Sequence, residues 1–206
     1  DSSSDDSDDD VITWLRVADQ HEQSEHPGKP DGVVVLADTI KEMKALKLLN
    51  LSKNKIDGHA DKTGITAMVS ALEHTHLSEL NISGASLGAE GANLLATTIQ
   101  KMGTLSNLHV GQNSIPEEQM RAIIEMDKFD VLCAVPVKEL KADSLKELDL
   151  SGKSLGVEGA LVLSACLHDN GALAKLDISL NYKGGPSFDS QGSEEFIRPI
   201  ASMLKT

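Results

Sequence analysis

The stretch Leu145-Lys-Glu-Leu148-Asp-Leu150-Ser-Gly-Lys153-Ser-Leu155-Gly156-Val-Glu158-Gly159-Ala160 has a near-copy earlier in the chain. That copy is Leu77-Ser-Glu-Leu80-Asn-Ile82-Ser-Gly-Ala85-Ser-Leu87-Gly88-Ala-Glu90-Gly91-Ala92. Both follow LxxLx[LI]SGxSLGxEGA, and an apolar segment of helical period comes next in each. Internal repetition decides architecture ahead of any propensity argument.

Further copies accompany these two, looser in the first and last. Leu46, Leu49, Leu51, Asn54 and Ile56 form one, Leu105, Leu108, Val110, Asn113 and Ile115 another, and Leu173, Leu176, Ile178 and Asn181 a third. The first leucines are spaced by 31, 28, 40 and 28 residues. The long step hides a further unit, because Phe129, Leu132 and Ala134 also fit the spacing. It divides into steps of 24 and 16 residues. The 16-residue step leaves no room for a strand plus a helix, so Pro136 to Asp143 is expected to be a loop.

Alternation along a short strand turns the fourth and sixth leucines of each unit inward. The segments between read as helices at 31–43, 64–74, 90–102, 117–126, 158–169 and 193–204. Pro116 suits the first turn of the helix that follows it, and Glu117 and Glu118 suit its positive end. One unit cannot cover its own apolar faces, so neighbours must stack. Helices are wider than the ~4.8 Å between strands. The expected fold is therefore α/β: a curved solenoid with parallel strands on the concave face and helices on the convex face.

On these motifs the chain, over residues 31–206, resembles the leucine-rich repeat proteins, in particular the ribonuclease-inhibitor-like subtype. The turn asparagine of that family stands here as Asn54, Asn113 and Asn181, but is replaced by Ala85 and Lys153 in the two best copies. The resemblance implies an asparagine ladder broken at those two units. No standard cap follows Leu204, which implies a chain cut short or capped by a partner. The family also implies binding of proteins through the concave face.

The ends read differently. Residues 1–10 are an acidic, low-complexity tail, expected to be disordered. Ser2, Ser3 and Ser7 each precede an Asp by three positions, a pattern suited to acidophilic phosphorylation. Residues 11–30 read as an N-terminal helix and linker: Val11 to Ala18 has helical apolar spacing with Asp10 as N-cap, and Pro27 and Pro30 follow. Trp14 is expected to seal the first unit or dock on a partner. The helix at 31–43 has its own strand missing or upstream.

The formal charge is −13, and six of the negative charges are aspartates among the first ten residues. With three arginines (Arg16, Arg121 and Arg198), the chain is a poor fit for nucleic acid. Two cysteines, Cys133 and Cys166, make no disulfide framework and suit a reducing compartment. No apolar run approaches the ~20 residues a membrane span requires. The expected location is intracellular and cytoplasmic, with an organelle as the alternative, since the sequence begins at Asp and reads as processed or truncated.

Outward strand positions supply the candidate protein-binding site: Asn50, Ser52, Glu79, Asn81, Asn107, His109, Glu147, Asp149, Lys175 and Asp177. The row is polar with an acidic bias. It holds no Trp, Tyr or Arg, the residues that anchor most tight interfaces. Expanded turns at 57–63 and 183–191 offer a second, lateral edge. Other motifs carry no chemistry. Gly152-Lys153-Ser154 lacks the upstream glycine of a phosphate loop, His74 and His76 have no acidic or thiol companion, and Asp57 to Asp61 lacks the ligands of a calcium loop. No nucleophile–base pair is visible, and no cofactor is expected. The leading reading is a non-enzymatic interaction or scaffold module with protein partners. The alternatives are a structural subunit of a large assembly and a GTPase-activating regulator like the Ran GTPase-activating proteins.

Overall fold

The computed structural model describes residues 14–16, 32–54, 56, 62–181 and 197–201. Strands and helices alternate: β1 (Trp14–Arg16), α1 (Gly32–Glu42), β2 (Leu48–Asn50), α2 (Thr63–Leu72), β3 (Glu79–Asn81), α3 (Gly88–Lys101) and β4 (Asn107–His109). There follow α4 (Glu117–Ile124), β5 (Val131–Leu132), α5 (Val137–Lys141), β6 (Glu147–Asp149), α6 (Gly156–Leu167) and β7 (Lys175–Asp177). Residues 197–201 are helical.

Among the described residues the named strands pair in parallel, each with a strand adjacent in sequence. Their register matches the repeat: Leu49 faces Leu80, Leu80 faces Leu108, and Leu108 faces Leu132. These four leucines are buried, as are Leu51, Ile82 and Val110 beyond the strand ends. Each contributes roughly 1.5–3 kcal/mol by leaving water. Helices stack in the same order, α1 on α2, α2 on α3 and α3 on α4.

The SGxSLG core of the repeat has a backbone reason. Gly84, Ser86 and Gly88 have φ of 67°, 62° and 60°, and Gly152, Ser154 and Gly156 have 63°, 58° and 61°. The chain turns three times through the left-handed region between strand and helix, where glycine carries no steric penalty.

Three expectations fail. The helix expected over Val11–Ala18 is not formed at residues 14–16, which are strand β1, paired with β2 at Leu15 and Leu49. A short apolar run does not separate the two periods, and the edge of β2 offers it backbone partners. The missing strand of α1 therefore lies upstream. Pro136 to Asp143 is not a loop, because Val137–Lys141 forms α5, with Val137 and Leu140 turned into the core.

The strands also do not make one sheet. β1 to β5 form one and β6–β7 another. The cause is local. Cys133 and Ala134 have φ of 50° and 65°, so the chain reverses after two residues of β5. Val135 then bonds back on Leu132 in both directions, at 2.9 and 3.0 Å, and covers the edge that β6 would have used. The 24-residue step is borne out by the pairing of Asn107 with Val131. The acidic tail, the loops at 57–61 and 183–191 and the side chain of Trp14 lie outside the described residues.

Candidate binding face

Strand alternation places the expected residues on one face. In β2, β3 and β4 the central leucine is buried and its neighbours are half-buried: Leu48 and Asn50, Glu79 and Asn81, Asn107 and His109. Register aligns Asn50, Asn81 and His109 in one row and Leu48, Glu79 and Asn107 in the next. In the second sheet Glu147, Asp149, Lys175 and Asp177 are exposed. Lys175 bonds Glu147 across the strands at 3.1 Å. The break between β5 and β6 means that these two groups do not share one sheet.

Several of these side chains also have a local task. Oδ1 of Asn50 accepts from the N–H of Ser52, and Asn81 does the same for Ser83, each at 3.0 Å. Asp149 accepts from Ser151 at 2.8 Å and Asp177 from Ser179 at 2.9 Å. Each closes a turn at the strand end, the reason Asn or Asp recurs there. The Ser151 bonds hold the Asp149 carboxyl below its ordinary range. In the third unit His109 takes this position and Gly111 replaces the serine. Burial holds the His109 imidazole below its ordinary range, and the carboxylate of Glu79 pulls the other way.

Beneath the face the asparagines reach backwards. The Asn113 amide donates to Val110 and Ile82 at 2.8 and 2.9 Å, and its Oδ1 accepts from Ala85 N–H at 2.8 Å. Asn181 donates to Leu150 at 2.7 Å and accepts from Leu155 at 3.3 Å. The units that lack their own asparagine are thus served by the next one along. Ala85 is buried without needing a polar group, and Lys153 is exposed.

The unit with Asn113 has no such successor, since Lys153 stands where an asparagine would. Glu158 of α6 fills the role. It is 3% exposed, and its carboxylate accepts from the N–H groups of Gln112, Asn113 and Ile115 at 3.0, 3.0 and 3.2 Å. A Cβ at Gly111 would lie 3.0 Å from the carbonyl oxygen of Leu155, so close that the backbone would have to give by a few tenths of an ångström. The fourth-strand and sixth-strand units are therefore spliced at their turns although their strands belong to different sheets.

Two further residues gained roles the sequence did not announce. Cys133 receives a hydrogen bond from the Val110 N–H, and burial pushes its thiol up to about 12. Lys128 donates to the carbonyls of Ile99 and Met102 at 2.6 and 2.7 Å, closing the C-terminal end of α3. Among the described residues no group of His, Cys, Asp and Glu is arranged to hold a metal. No helix among them is long and apolar enough to cross a membrane. His74 bonds the Ser70 carbonyl of its own helix. The segment from Asp57 to Asp61 lies outside the described residues.

No family model matches the chain. It is 28% identical over 154 residues to the mouse protein named NACHT, LRR and PYD domains-containing protein 4C. The aligned part is 74% of this chain but 14% of that protein, so the chain spans a small part of the relative's length. This is a distant, partial similarity to a protein whose name includes leucine-rich repeats, and it agrees with the parallel α/β order of units described above.

Proposed function

We propose that the chain is a non-enzymatic protein-binding module of the leucine-rich repeat type, and that it works through the outward strand face. The observation that carries this reading is the in-register array of polar side chains over fully buried leucines in β2, β3 and β4. A surface held this way is ordered before a partner arrives, which lowers the entropy lost on binding. Repeats with a full helix between strands fit the ribonuclease-inhibitor-like subtype and a curved solenoid with the strands concave. Under this reading the partner is a protein, and a soluble intracellular setting suits two buried, reduced cysteines.

The test compares two faces. Partners captured from the native source should be lost by Glu79→Lys with Asn107→Lys, which stand side by side on β3 and β4, and kept by Glu118→Lys at an exposed position of α4. Loss by the helix variant alone would move the interface away from the strands. GTP hydrolysis by small GTPases should be unchanged by the protein.

One observation favours the assembly-subunit alternative. Leu180 is 80% exposed just beyond β7, with φ of 59°. A subunit would co-purify with neighbours at fixed stoichiometry and aggregate when alone.

A further inference from the structure

Among the described residues, β6 pairs with β7 on one edge and with no strand on the other. Backbone groups, like side chains, alternate along a strand. Lys146 accepts from Ala174 and Lys175, and Leu150 donates to Asp177. Residues 146, 148 and 150 therefore turn their backbone toward β7. The N–H and C=O groups of Glu147 and Asp149 point the opposite way, away from β7. In β3 and β4 the matching residues bond the preceding strand: Glu79 donates to Lys47 and Asn107 to Ser78, each at 3.0 Å. β6 has no such pairing among the described residues. β5 cannot supply it, because Val135 occupies its outer edge.

Burial supports the same picture independently. Leu49, Leu80 and Leu108 have no exposed surface, as expected for strands with a neighbour on each side. Leu148, at the same position, is only partly buried. Leu145 is also partly buried, whereas its counterparts Leu46, Leu77 and Leu105 are at most 1% exposed. Apolar lining that the rest of the stack closes is open to solvent beside β6. Glu147 and Asp149 stand exposed on the outer side of the same strand.

We propose that this edge takes up an extended segment of a partner protein, added to β6 as a strand, with basic residues alternating with apolar ones. The apolar residues would lie against Leu145 and Leu148. The basic ones would face Glu147 and Asp149, since opposite charges across neighbouring strands are favourable. Main-chain bonds to Glu147 and Asp149 would supply affinity, and the alternation would supply specificity. This rests on the protein-binding reading above and narrows it to one place and one partner chemistry.

The probe is a short synthetic peptide of alternating lysine and valine, added to the full chain. Two analogues carry N-methyl groups on either the lysine or the valine amides. We expect the peptide to bind, amide exchange at Glu147 and Asp149 to slow, and one analogue to lose binding at least about tenfold because half the amides face β6. Glu147→Lys with Asp149→Lys should weaken the parent peptide by a similar factor. Equal binding of both analogues, with no change in exchange at those amides, would overturn strand addition while leaving the strand-face reading intact. No peptide binding at all would also overturn it. The capture experiment with Glu79→Lys and Asn107→Lys, neither of which lies on β6, judges the strand-face reading separately.

Discussion

Glu90 and Glu158 occupy the same position of the repeated motif, yet their surroundings differ completely. Glu90 is exposed and lies 3.9 Å from Lys62. Glu158 is buried and holds three backbone N–H groups. Glu158→Ala should therefore cost about 3 kcal/mol or more, since buried donors left unbonded cost ~1–3 kcal/mol each. Glu90→Ala should fall within about 0.5 kcal/mol of the parent, as surface changes do. Denaturant midpoints at constant slope measure both, and equal effects would contradict the splice. The cysteines behave differently from reactive thiols. Burial pushes Cys133 up to about 12 and Cys166 up to about 11. The thiolate is the nucleophile, so neither should react with a thiol reagent at pH 8 until the chain unfolds. Prompt labelling of the native protein would refute that burial.

At the scale of elements, β4 carries a pH response. Burial lowers the folded-state pKa of His109 below its ordinary 6.5, against the opposing pull of Glu79. The unfolded chain then binds more protons in mildly acid solution. Stability is present above that ordinary value and is lost as pH falls below it toward the folded pKa. His109→Gln should flatten the stability profile in that window, read as thermal midpoint against pH. An unchanged slope would remove His109 as the cause. Repeat spacing made most elements legible: β2, β3, β4, β6 and β7 and the helices between them follow from LxxLxL and the segments after it. β1 and α5 did not. Val11 to Ala18 fits both periods, and the strand is selected by the edge of β2. The turn at Cys133 and Ala134 carries no glycine, so nothing in its residue types announced a reversal.

Across the whole molecule, stacking of neighbours explains why the outward residues were legible and their roles were not. Alternation alone placed Asn50, Glu79, Asn81, Asn107 and His109 on one face. It could not show that Asn50, Asn81, Asp149 and Asp177 close their own turns, nor that β6 begins a second sheet. Both depend on hydrogen bonds between atoms that spacing does not rank. The division of the array at β5 follows from one tight turn, and its repair from one carboxylate on α6. Continuity is therefore kept at the turns and interrupted at the strands, which leaves one edge of β6 without a strand partner among the described residues.

Parallel, in-register stacking of the units is tested most directly by paired cysteines on β3 and β4. Parallel pairing sets Glu79 beside Asn107, whereas antiparallel pairing about Leu80 and Leu108 would set Glu79 beside His109. Neighbouring strands lie ~4.8 Å apart, within disulfide reach, while diagonal positions lie at ~7–8 Å, beyond it. Glu79→Cys with Asn107→Cys should oxidise to an intrachain disulfide, and Glu79→Cys with His109→Cys should not. A disulfide in the second pair and none in the first would contradict the account.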